Sequence, residues 1–90
     1  MVENRKKTIL IADDSPENLH VLCRMLKSRY EVLQALNGHE ALSRAASHPE
    51  PDLILLDIMM PDIDGFEVIR QLKGDKNTMN IPVIFVSALG

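Results

Sequence analysis

Three short runs, TILIA at 8–12, DLILL at 52–56 and PVIFVS at 82–87, are almost continuously apolar and rich in β-branched residues. A strand with one wet face alternates apolar and polar residues. A strand that does not alternate must be covered on both faces, and that is the situation of a parallel sheet flanked by helices. A fourth run, Glu31 to Ala35, is interrupted by Glu31 and Gln34 and suits an edge position.

The intervening stretches read as helices. Ser15 can cap one whose first residue is Pro16, and Leu19, Leu22, Cys23 and Leu26 follow at the spacing of one buried face. Leu42, Ala45 and Ala46 mark a second stripe, which ends before HPEPD, where Pro49 and Pro51 force a break. Asp64 with Glu67 has the spacing of a capping box, and Phe66, Ile69 and Leu72 form the third stripe. The order is β-α-β-α-β-α-β, an α/β chain with right-handed crossovers. If the second strand lies outside the first, the chain must cross back, giving a doubly wound parallel sheet of order 2-1-3-4. Its switch point then lies between strands 1 and 3, and ligands bind outside their carboxyl ends.

That rule brings three carboxylates to one crevice. Asp13 and Asp14 end strand 1 in ILIADDSPEN, and Asp57 ends strand 3 in LLDIMMPDIDG. Three negative charges in close quarters repel one another and require protons or a cation. Mg²⁺ fits best: it takes oxygen ligands, accepts one or two carboxylates and keeps waters that a phosphate can displace. A metal, a carboxylate and a phosphate position together suggest phosphoryl transfer onto an aspartate. Met59 can offer a backbone carbonyl to the metal, and Ser87 a hydroxyl next to the strand that bears Asp57. Asp62 and Asp64 read as loop and cap residues. His20, His39 and His48 lack ligand spacing. The glycines at 38, 65, 74 and 90 build neither a dinucleotide fingerprint nor a P-loop.

The remaining features narrow the class. Ninety residues make one domain at most, and an apolar share of 46% favours a globular chain. A formal charge of -3 argues against direct nucleic-acid binding, with Arg5, Lys6 and Lys7 read as a solvated leader. Cys23 is the only cysteine, so no internal disulfide can form; it reads as a small buried residue. No run reaches the ~20 apolar residues of a membrane span, and no secretory signal is visible, which leaves the cytoplasm as the expected compartment.

With Asp13 and Asp14, Asp57 in DIMMPDIDG and Ser87 in VSA, the chain resembles the receiver domain of two-component response regulators, a flavodoxin-like fold. The resemblance implies that Asp57 accepts the phosphoryl group. It implies further that Asp14, Asp57 and the Met59 carbonyl hold Mg²⁺, with Asp13 helping through water, and that Ser87 is the switch residue. The donor would be a histidine kinase or a phosphotransfer protein, and the output domain is not visible. NIPVIFVSAL is similar to receivers attached to cyclic-dinucleotide signalling domains. An aspartate-nucleophile phosphatase is the enzyme rival, but those enzymes resemble one another in a D-x-D motif after the first strand, whereas here the acids are adjacent.

Family receivers are longer and have five strands. The expectation is therefore a polar leader at 1–7 and an incomplete receiver domain at 8–90, without the family's phosphate-pairing lysine. No lysine follows Lys76, and Lys76 lies in KGDKNTMN, at the wrong edge of the sheet. Strand 4, with Val83 to Val86, would then expose an apolar edge that pairs with another copy in a homodimer or other assembly. The alternative function is an interaction scaffold that is never phosphorylated.

Overall fold

In the computed structural model, which describes residues 6–86, the elements are β1 (Thr8–Ala12), α1 (Pro16–Leu26), β2 (Glu31–Ala35), α2 (Gly38–Ala45), β3 (Leu53–Leu56), α3 (Gly65–Gly74) and β4 (Val83–Phe85). The four strands form one parallel sheet in the order β2-β1-β3-β4, as the apolar runs predict. Register is tight: Ala12 stands beside Ala35 on one side and Leu56 on the other, so β1 and β3 end at the same level.

Every residue of β1 is buried, because its alternate side chains enter two separate cores. Ile9 and Ile11 pack with Leu19 of α1 on one face. Leu10 and Ala12 join Ala41, Ala45, Ile54, Leu56, Val68 and Leu72 under α2 and α3 on the other. β2 is an edge, with Glu31 and Gln34 exposed. β4 is the other edge among the described residues, with Ile84 half exposed.

Several local expectations are corrected. β3 starts at Leu53, since the Asp52 carboxylate turns away to accept the Thr8 N–H at 2.7 Å. β4 spans three residues rather than 82–87, although the ladder reaches one step further on each side: the Pro82 carbonyl accepts from Ile54 and the Val86 N–H donates to Leu56. Ser87 lies outside the described residues. The buried stripe of α2 is Gly38, Ala41 and Ala45, while Ala46 is the exposed C-cap. That of α3 is Gly65, Val68 and Leu72, leaving Phe66 exposed against the ring of Phe85, centroid to centroid 5.3 Å. The phase of α3 is set at its first residue. A Cβ on Gly65 would lie 2.6 Å from the Asp57 carbonyl, so the helix seats its start directly on the end of β3. Cys23 is half-buried rather than enclosed, taking a hydrogen bond from the Gln34 amide at 3.3 Å.

Candidate phosphoryl and metal site

Asp13 and Asp57 follow the last residues of β1 and β3, whose parallel pairing continues through Asp57 N–H to the Ala12 carbonyl at 2.9 Å. The two side chains emerge at the same end of the sheet and are both buried, while Asp14 is exposed beside them. One carboxylate oxygen from each of the three lies within 4.8 Å of the others. No salt bridge to any of them occurs among the described residues; Glu67 pairs with Arg70 there, and His39 Nδ1 lies against Asp62.

The turn after β1 explains how Asp13 tolerates burial. Its Oδ1 accepts the Ser15 N–H at 2.9 Å and its Oδ2 the Asn18 side-chain amide at 3.3 Å. Ser15 caps α1 by accepting the Asn18 N–H. Asn18 therefore braces Asp13 as well as belonging to the first turn of α1. Its signal in the sequence is faint: a polar residue three positions after the cap, on the turn facing the strand end.

Asp57 is held less completely. Its Oδ1 receives the Met59 N–H at 3.4 Å, which is long for such a bond. Burial, followed by the nearby charge of Asp13, pushes the Asp57 pKa above its ordinary value; the Met59 N–H opposes the shift and Asp14 adds to it. A group shifted in this way is destabilised as an anion in the metal-free chain. Three convergent oxygen donors with no cationic partner among the described residues fit a small hard cation, and such a cation would relieve that repulsion.

Of the other residues singled out in the sequence, Asp64 caps α3, accepting the Glu67 N–H at 2.9 Å. The capping box is only half formed: Glu67 bonds to Arg70 and Gln71 instead of reaching back. Asp62 caps not its own helix but α2. Lys76 stands in the α3–β4 connection, at the amino end of β4 and the opposite end of the sheet from the carboxylates.

The family model for the response regulator receiver domain matches residues 9–90. The chain is 46% identical over 82 residues to Response regulator PleD of Caulobacter vibrioides, covering 90% of this chain and 18% of that protein. It is 46% identical over 80 residues to a probable cyclic di-GMP phosphodiesterase of Vibrio cholerae, covering 89% and 18%. It thus spans less than a fifth of either relative. The N-terminal domain of a response regulator receiver protein from Methanoculleus marisnigri superposes with a TM-score of 0.82 at 43% identity, over 87% of this chain and 63% of that one.

Proposed function

Since the chain belongs to the response regulator receiver domain family, we propose that it accepts a phosphoryl group on Asp57 from a histidine kinase or a phosphotransfer protein, with Mg²⁺ as cofactor. The observation that carries this reading is the convergence of Asp13, Asp14 and Asp57 within 4.8 Å at the carboxyl ends of two neighbouring parallel strands. A cluster of that sign has no stabilising role of its own. Its geometry makes sense when a cation and a phosphoryl group are drawn to it.

Asp14, Asp57 and the Met59 carbonyl are the groups assigned to the metal, with Asp13 acting through water and bracing the turn. The ion, when bound, offsets the negative charge of the phosphoryl oxygens. An Asp57 carboxylate oxygen attacks phosphorus as the P–N bond of a phosphohistidine breaks, the electron pair returning to the imidazole nitrogen; an acyl phosphate remains on Asp57. The chain contributes chiefly by holding that oxygen in line. Ser87 is assigned the role of switch hydroxyl. A cytoplasmic setting accords with such a donor, and no helix among the described residues is long and apolar enough to cross a membrane. The name of the Vibrio cholerae relative makes cyclic-dinucleotide turnover the first output to assay in any protein that carries this module.

The test is intact-mass spectrometry of the chain after incubation with Mg²⁺ and acetyl phosphate. The expected result is one phosphoryl adduct that disappears in Asp57→Asn and on chelation of the metal. A chain that is folded by circular dichroism yet gains no mass at saturating Mg²⁺ would overturn the reading and leave an interaction scaffold in its place.

A further inference from the structure

The loop from Ile58 to Asp64 carries Met59 past Asp57; Met59 is 76% exposed and Pro61 is exposed as well, while Met60 and Ile63 pack against the core under α2 and α3. Polar contacts add to that packing at two points. At one, the Gly65 N–H donates to the Ile58 carbonyl at 2.7 Å. At the other, Asp62 leaves its own segment and grips α2, 24 positions earlier in the chain: Oδ1 accepts the Gly38 N–H at 2.8 Å. Its Oδ2 accepts the His39 N–H at 2.8 Å and lies 2.7 Å from His39 Nδ1.

The grip completes the cap of α2 from a distant segment, because the N–H groups of Gly38 and His39 have no partner within their own helix. The side chain of Asn37 already caps α2 through the Glu40 N–H, and Asp64 already caps α3. The contact is also close-fitting. A Cβ on Gly38 would collide with Ile63 Cγ1 and lie 2.9 Å from the Ile63 carbonyl oxygen, so the backbone of α2 comes directly against the loop. Burial would raise the Asp62 pKa, but the N–H groups of His39 and Gly38 outweigh it and hold the carboxyl well below the ordinary range. The carboxylate that makes the grip is therefore anionic throughout the neutral range, and both N–H bonds to it are charge-assisted.

We propose that Asp62 is a positioning residue for the phosphoryl site: by clasping the first two N–H groups of α2 it fixes the 58–64 loop, and with it the Met59 backbone beside Asp57. The proposal rests on the assignment of Asp57 and Met59 to the metal and phosphoryl site. Releasing the clasp leaves every metal carboxylate in place but lets the Met59 carbonyl wander, which weakens metal binding as the loss of an outer support does elsewhere.

The test titrates Mg²⁺ calorimetrically into the full chain, and measures the acetyl phosphate reaction as a function of Mg²⁺, for Asp62→Ala, Asp62→Asn and Thr78→Ala. Thr78 supports the far end of α3, so Thr78→Ala lowers the melting temperature without touching the loop and reports what mere destabilisation does. Asp62→Ala is expected to raise the half-saturating Mg²⁺ concentration by about 10-fold, with the rate recovered at saturating metal. Asp62→Asn, whose amide oxygen can still accept one N–H, should fall between. If Asp62→Ala fails to fold, the shift in Asp62→Asn decides the matter. Asp62 variants indistinguishable from the parent, or a Thr78→Ala shift of equal size, would overturn the proposal. If the parent chain takes no phosphoryl group, the functional reading falls while the Mg²⁺ titrations still decide the clasp; a parent that binds no Mg²⁺ overturns both.

Discussion

At the amino end of β3, Asp52 turns its carboxylate onto the Thr8 N–H at 2.7 Å, tying β3 to β1. At the carboxyl end, after the same strand, Asp57 faces Asp13 and Asp14, and its hydrogen bond from the Met59 N–H is long at 3.4 Å. The neighbourhoods differ in the same sense. Around the amino ends, the Thr78 hydroxyl donates to the Leu72 carbonyl, and the Lys73 ammonium to the Met79 and Ile81 carbonyls, so the close of α3 and the entry to β4 are satisfied. Around the carboxyl ends, like charges are gathered and the loop that covers them is braced from another element. One sheet thus serves as an anchored base below and a loaded platform above, and what is gained in stability at one end is withheld at the other.

The largest effect is expected where the platform meets its helix. In Gly65→Ala the new methyl would meet the Asp57 carbonyl at 2.6 Å and the Ile58 Cα at 2.9 Å, both backbone atoms that cannot swing aside. About 2–3 kcal/mol of destabilisation is expected, in urea unfolding, together with loss of phosphoryl uptake as the end of β3 is displaced. Thr78→Ala comes next. It removes a hydrogen bond inside the base, where Thr78 is 3% exposed, and leaves the Leu72 carbonyl short of a partner, costing about 1–2 kcal/mol by the same measurement. Phosphoryl uptake by the folded fraction should stay at the parental rate. A Thr78 variant that lost uptake, or a Gly65 variant that kept it, would break the division between the two ends.

The division also explains what could be read from the sequence. The continuous apolar run gives β1 to the residue and the polar-interrupted run gives β2; with β2 placed at the edge, the switch-point rule gives the sheet order and the meeting of Asp13, Asp14 and Asp57. Helix phase was less legible. Phe66 and Ile69 are the larger apolar residues of α3, yet the helix turns Val68 inward, since its rotation is set by the contact of Gly65 with the end of β3. The clasp was not legible at all: Asp62 has the composition of a turn, and the partners that define its role lie 24 positions away on α2. Asn18 was missed for the same reason on a smaller scale, its bond to Asp13 being visible only once the first turn of α1 faces the strand end.

The smallest effect is the most discriminating, because its sign reverses. Asp→Asn at 52 weakens the charge-assisted bond to Thr8 and should cost about 1 kcal/mol or less at neutral pH. Asp→Asn at 57 should instead stabilise the metal-free chain, raising its melting temperature by a few degrees. The sign follows from linkage: the Asp57 pKa is raised in the fold, so the folded chain holds this proton more tightly than the unfolded one. Its contribution to stability is therefore greatest below the unfolded carboxylate value, declines as pH rises through the raised folded value, and is constant beyond. Asparagine cannot lose that proton, so the gain over the parent should shrink as pH falls below the ordinary carboxylate range. Adding Mg²⁺ at neutral pH should reverse the order, since the parent gains the binding free energy of the ion and the variant has lost a ligand charge. Thermal melts of both variants at two pH values, with and without Mg²⁺, read all of these signs. An Asp57→Asn chain less stable than its parent without metal would mean that the three carboxylates are not in tension, and that the platform is as well satisfied as the base.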